Sequence, residues 1–173
     1  MLPANLRRVF FSVDRSGTLV ADATLGLTTF HDVVPDAFQK HVDMMFPDGV
    51  TRHGDQYFVT ATAAVAVNSA IELLFEYVRR SRYPKRLSRF QSVFAWETLE
   101  DAERFRSEAG SAADSIWEVE GADHFRTDMR LLTMGGSNLQ LSWNANQYWA
   151  GAPSSDPTWE VLLSPPVRVV RKV

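Results

Sequence analysis

None of the 173 residues is a cysteine, so whatever this chain folds into must be held by packing and polar contacts alone. Disulfides and cysteine-ligated zinc or iron-sulfur centres are excluded, and four scattered histidines supply no HExxH pair for zinc. No metal is expected. A noncovalent core is available, because 45% of the residues are apolar and only 23% charged, and a chain of this length buries roughly two thirds of its unfolded surface. One domain over residues 1–173 is the expectation. The formal charge of -3 gives no global reason to bind a polyanion. No apolar run reaches the roughly eighteen residues of a membrane span, and Met1 to Arg8 has no apolar leader segment, so a cytoplasmic protein without a membrane partner is expected.

Periodicity sketches a mixed chain. Leu6 to Val13 is β-prone and ends in the turn-forming Asp14-Arg15-Ser16-Gly17, and Thr18 to Leu27 reads as a second extended stretch. Pro35 to Phe46 has helical spacing. From Ala61 to Arg80, Val65, Val67, Ala70, Ile71, Leu74, Phe75 and Val78 form an apolar helix face, with Glu72, Glu76, Arg79 and Arg80 opposite. Phe90 to Trp96 reads as an aromatic-rich strand, and Thr98-Leu99-Glu100-Asp101 as the capped start of a helix stopped by Gly110. Ile116 to Glu120 alternates as a strand, Asp123 to Leu132 has helical spacing, and Leu141 to Trp149 reads as a helix closed by Gly151. Trp159 to Leu163 and Val167 to Arg171 are two strands separated by Pro165-Pro166, since proline removes a ladder donor. There is no strict βαβ period, and no GxGxxG, GxxxxGK[ST] or GxSxG motif.

Three groups of residues could carry chemistry. Glu160 stands alone in an apolar strand, and its carboxylate points either to solvent or into a cleft where it would act as a base or hold a hydroxyl. Ser88 and Ser92 lie on one face if their segment is extended, able to hold a carboxylate or ribose, while Phe90 and Phe94 either stack on a flat heterocycle or fill the core. Arg79, Arg80, Arg82, Lys85, Arg86 and Arg89 put six positive charges into eleven residues, either an anion site or a solvated helix end. Arg7 and Arg8 form a further candidate anion clamp.

The order of an early arginine, the segment Ser88-Arg89-Phe90-Gln91-Ser92-Val93-Phe94, and Tyr148-Trp149-Ala150-Gly151 before Trp159-Glu160-Val161-Leu162-Leu163 resembles the ADP-ribosyltransferase family. It is similar to the small prokaryotic and phage-associated branch, with its "SRFxSxF" strand and its late "YWxG … EVL" strand, over about two thirds of the chain from Phe75 onward. The resemblance implies an α+β fold of split antiparallel β-sheets with flanking helices, gripping NAD as substrate. It implies Glu160, Ser88 and Ser92 as the catalytic set, and Arg7 or Arg8, Arg89, Phe90 and Phe94 as NAD-binding residues. It also implies transfer of ADP-ribose to a macromolecular acceptor, protein or nucleic acid, or NAD hydrolysis, by a toxin or phage-defence effector with an antitoxin or immunity partner. Two places before Glu160, where transferases acting on protein arginine carry Glu or Gln, stands Thr158, so arginine is not implied as acceptor.

Two other readings use the same residues. A non-catalytic module of this fold would hold a nucleotide or RNA through the Arg79 to Arg89 cluster. An interaction domain would expose Trp143, Tyr148 and Trp149.

Overall fold

The computed structural model describes residues 7–61 and 66–173, so the expectations placed on Leu6 and Val65 lie outside the described residues. The chain is α+β with two antiparallel sheets. Its first strand, β1 (Arg8–Asp14), turns at Asp14, whose carboxylate accepts from the Ser16 and Leu19 amides at 3.1 and 2.8 Å. Of the extended stretch expected next, only β2 (Thr24–Leu25) joins a sheet. Helix α1 (Asp36–Met45) follows. A short turn of helix, α2 (Arg52–Gly54), widens into a π-helical turn at Asp55–Val59, and α3 (Ala66–Arg82) is the longest helix.

Beyond α3 the expected strand is divided. Arg89–Gln91 forms a 3-10 turn and only Val93–Ala95 is strand β3. Helix α4 (Leu99–Ala109) begins as the sequence indicates, the Thr98 hydroxyl accepting from the Asp101 amide at 3.1 Å. Strand β4 (Ser115–Gly121) matches the alternation. The segment from Asp123 to Leu132 is not a helix. It forms strand β5 (His124–Asp128) and a 3-10 turn, because Phe125 and Thr127 lie in register with Leu162 and Glu160 and are buried with them. Tertiary pairing overrides the local spacing. Helix α5 (Asn138–Ala150) ends at Gly151, which adopts φ 75°, the left-handed conformation glycine takes without strain. Strands β6 (Trp159–Leu163) and β7 (Val167–Lys172) flank the two prolines.

Proline between β6 and β7 separates the sheets. β7 joins the first, of order β1-β4-β7-β2, and β6 sits at the centre of the second, of order β3-β6-β5. The backbone bridge Phe11 to Trp96, with hydrogen bonds of 2.9 and 2.8 Å, and the Ser12 hydroxyl, donating to the Phe94 carbonyl at 2.9 Å, tie the two sheets together. Because strand side chains alternate, Val161 and Leu163 face the first sheet and pack with Phe10, Val119, Val167 and Val169. Leu162 faces α3 and α5, among Phe75, Tyr148 and Trp149. Glu160 shares the face of Leu162, so β6 carries its carboxylate into the layer beneath the helices. Asp128 sets the approach to β6 by accepting from the backbone amides of Ser154 and Thr158 at 2.7 and 2.9 Å.

Helix α3 is not polar on the side the sequence suggested. Glu76 is 1% exposed and accepts from Arg79 at 2.7 and 2.9 Å, from Arg80 at 2.7 Å and from the Ser88 hydroxyl at 2.9 Å. Arg79 in turn donates to the Arg86 carbonyl at 2.9 Å, so the connection after α3 is tied back onto the helix. Replacing Glu76 by alanine leaves Arg79 buried without its partner and should cost about 3–5 kcal/mol in urea unfolding.

Candidate functional site

Helical pitch places Glu72 one turn before Glu76 on the same face of α3. The chain returns at the 3-10 turn to set Arg89 between α3 and β6, and there Arg89 is fully enclosed. Its Nε and Nη2 donate to Glu72 at 2.7 and 2.9 Å, the two-point geometry that a guanidinium and a carboxylate match. Its Nη1 donates to Glu160 and to the Tyr148 hydroxyl. Tyr148, reaching across from α5, donates to Glu160 Oε1 at 2.7 Å. The guanidinium lies 4.6 Å from the Phe94 ring centroid. His53 extends the series, its Nε2 3.2 Å from Glu72 Oε1 without an aligned hydrogen bond, and its ring 4.5 Å from Tyr57 and 4.6 Å from Phe94.

The result is a continuous chain, His53 to Glu72 to Arg89 to Glu160 and Tyr148, with Glu72, Arg89 and Glu160 exposed by only 8%, 5% and 3%. Burial alone would raise the Glu72 carboxyl, but Arg89 and then His53 outweigh it and hold the group at about 2. Burial alone would also lower Arg89, yet Glu160 and Glu72 keep it well above its ordinary value. Tyr148 is pushed well up, first by burial, against the pull of Arg89, and further by Glu160, so its hydroxyl stays a proton donor. A pocket of about 190 Å³ opens above Glu72, lined by Tyr57, Asn68, Ile71 and Leu132. Among the described residues no three histidines or carboxylates are placed to share a metal ion.

The sequence candidates divide between this cluster and other places. Glu160, Arg89 and Phe94 come together. Ser88 and Ser92 do not line one cleft, because the 3-10 turn between them breaks the extended geometry; Ser88 serves Glu76, and Ser92 donates to the Ser88 carbonyl at 2.7 Å. Phe90 is completely buried among Met45, Phe46 and Val50 and meets Phe46 edge to face, so it is core and offers no stacking surface. Arg8 sits on the other face of the second sheet, 3.6 Å from Glu97, which also pairs with Arg126 at 3.1 Å. Arg126 is opposite Val161, one register step from Glu160 and therefore facing away from it. Arg7, half-exposed just before β1, has no place in the cluster either.

The run of basic residues is largely absorbed into the structure. Arg79, Arg80 and Arg89 neutralise buried glutamates, Arg82 donates to Asn146 at 2.9 Å, and Arg86 donates to the Trp149 carbonyl and lies 4.2 Å from the Phe125 ring. Trp143 is 51% exposed, but Tyr148 and Trp149 are wholly buried and present no surface for an interaction domain. Reasoning from the sequence missed Glu72, His53 and Tyr148 as site residues. The spacing of Glu72 and Glu76 by four, followed by a run of arginines, was the one available signal that both acids were paired.

Residues 30–173 match the family model described as Protein of unknown function (DUF2441), and a search of curated proteins finds no match. Among the described residues no helix is long and apolar enough to cross a membrane.

A carboxyl held at about 2 rather than 4.5 stabilises the fold by about 3 kcal/mol at 1.36 kcal/mol per pH unit. Because the folded value is the lower one, this contribution is complete above pH 4.5 and disappears as pH falls towards 2. In urea unfolding between pH 2 and 6, the margin of the wild type over Glu72→Gln should shrink across that interval and stay constant above it.

Proposed function

We propose that this chain, which belongs to the DUF2441 family, cleaves NAD and passes the ADP-ribose to a protein or nucleic acid acceptor or to water. The observation that carries the reading is Glu160 itself. The carboxylate that the family resemblance singles out lies near the start of a central strand, enclosed and held by the arginine of the Ser88-Arg89-Phe90 segment. The presence of two antiparallel sheets supports the split-sheet, ADP-ribosyltransferase-like fold that the resemblance implies.

The reading assigns the following chemistry to these residues. In the reaction the bond between the nicotinamide nitrogen and the ribose carbon breaks, the electron pair leaves with nicotinamide, and positive charge develops on the ribose. An ionised carboxylate beside that carbon stabilises the charge, as it does in glycoside hydrolysis. Arg89 and Tyr148 both donate to Oε1 and fix the carboxylate, and the reading reserves Oε2 for a ribose hydroxyl. An acceptor hydroxyl or water then attacks the ribose carbon and gives up its proton to solvent water. The arginine beside the carboxylate in this reading is Arg89, and Arg8 lies outside the site. The reading assigns the activity to the cytoplasm, as a toxin or defence effector restrained by an antitoxin or immunity partner.

Nicotinamide release from NAD by the purified chain is the direct test. Glu160→Gln should reduce it by about two orders of magnitude with the far-ultraviolet spectrum unchanged, and Tyr148→Phe, which keeps the carboxylate, by about tenfold. Arg8→Ala should leave the rate intact. A folded Glu160→Gln protein releasing nicotinamide at the wild-type rate, or a wild type releasing none, would refute the reading.

A further inference from the structure

The buried chain of charges reaches the pocket at Glu72. Glu72 and Glu160 bring two negative charges and Arg89 one positive, and Arg89 has already directed Nε, Nη1 and Nη2 to these two acids and Tyr148. The compensating pair of arginines around Glu76 is directed to that acid, to the carbonyls of Arg86 and Met45, and thus away from Glu72. His53 is the one further neighbour at hydrogen-bonding distance from Glu72 among the described residues, and it makes no aligned bond. Glu72 is therefore held in aligned hydrogen bonds by Arg89, and together with Asn68 it forms the polar wall of the pocket.

The remaining wall suits a particular kind of guest. A carboxylate accepts about four hydrogen bonds, and Arg89 uses two on Glu72, leaving acceptor capacity on a residue that lines the pocket. Tyr57 provides an aromatic wall, Ile71 and Leu132 provide aliphatic ones, and Asn68 stands exposed with its amide at the mouth. An anion such as phosphate would meet an ionised carboxylate there and be repelled. A compact cation gains the carboxylate, an aromatic neighbour and escape of its apolar stem from water. At about 190 Å³ the pocket holds a group of several heavy atoms but not a whole nucleotide.

We propose that the pocket above Glu72 is a binding site for a small organic cation, a guanidinium or alkylammonium group, with Glu72 and Asn68 as its polar contacts and Tyr57 as its aromatic wall. The site does not depend on NAD cleavage.

The test is a nuclear magnetic resonance titration of the full chain with methylguanidinium, with methylammonium, and with methylurea, the uncharged counterpart of the first. Methylguanidinium or methylammonium should bind on the order of tenfold more tightly than methylurea, with shifts centred on Tyr57, Asn68 and Leu132, and the stronger of the two cations identifies the group. Glu72→Gln should remove the preference for charge. Should that variant fail to fold, Asn68→Leu, at an exposed position outside the buried chain, should still weaken cation binding about tenfold while leaving the melting temperature unchanged. Equal binding of methylurea and both cations, no saturable binding of either cation, or cation binding undiminished in Asn68→Leu would each overturn the proposal. Nicotinamide release is read separately: a chain that releases none yet prefers the cation keeps this site and loses the NAD reading, and the opposite pattern does the reverse.

Discussion

A single guanidinium, that of Arg89, ties together the three parts of the molecule that matter most. It is bonded to Glu72 on the longest helix, to Glu160 on the central strand of the second sheet, and to Tyr148 on the last helix. Burying such a group costs several kcal/mol in lost hydration, and only well-placed partners return it. The helices can therefore pack on this sheet only in an arrangement that brings both acids and the tyrosine to one point. Apolar burial supplies most of the driving force for this layer, but Leu162 against Phe75 and Trp149 would tolerate small slips that the charged contacts do not.

The same helix carries two such nodes one turn apart. Glu76 collects Arg79, Arg80 and Ser88 and fixes the connection that follows the helix; Glu72 collects Arg89 and approaches His53. Their spacing is the helix repeat, and their division of labour follows from position. The first is sealed and serves the fold. The second lines a pocket, and a carboxyl held far below its ordinary value beside a pocket is a candidate site.

How far these features could be read in advance depends on their range. Helix α4 was legible because its signals are local: Thr98 caps its own first turn and Gly110 ends it. The same holds for α5 and Gly151, and for the two terminal strands parted by proline. The stretch from Asp123 to Leu132 was misread as a helix because its apolar residues have helical spacing, whereas its conformation is dictated by pairing with β6, some thirty residues on. Ser88 and Ser92 were read as one face of a strand because a 3-10 turn of three residues leaves little trace in a pattern of period two. Glu160 and Arg89 each stood out in the sequence as candidates, but their partnership, across seventy-one positions, did not.

Sequence alone determined the absence of covalent cross-links, a mixed α and β chain with a core of ordinary size, and the ends of those elements whose caps and breakers lie within a turn of them. These are properties of neighbouring residues and of composition, and they survive without knowledge of the third dimension. Which strands pair, which face of β6 receives Glu160, and that Glu72 stands at a pocket while Arg8 stands on the other side of the sheet were decided only in the tertiary structure. The reason is physical: a charged side chain has no preference of its own for interior or surface, and its place is settled by whether a partner of opposite charge, distant in the chain, is brought within hydrogen-bonding reach.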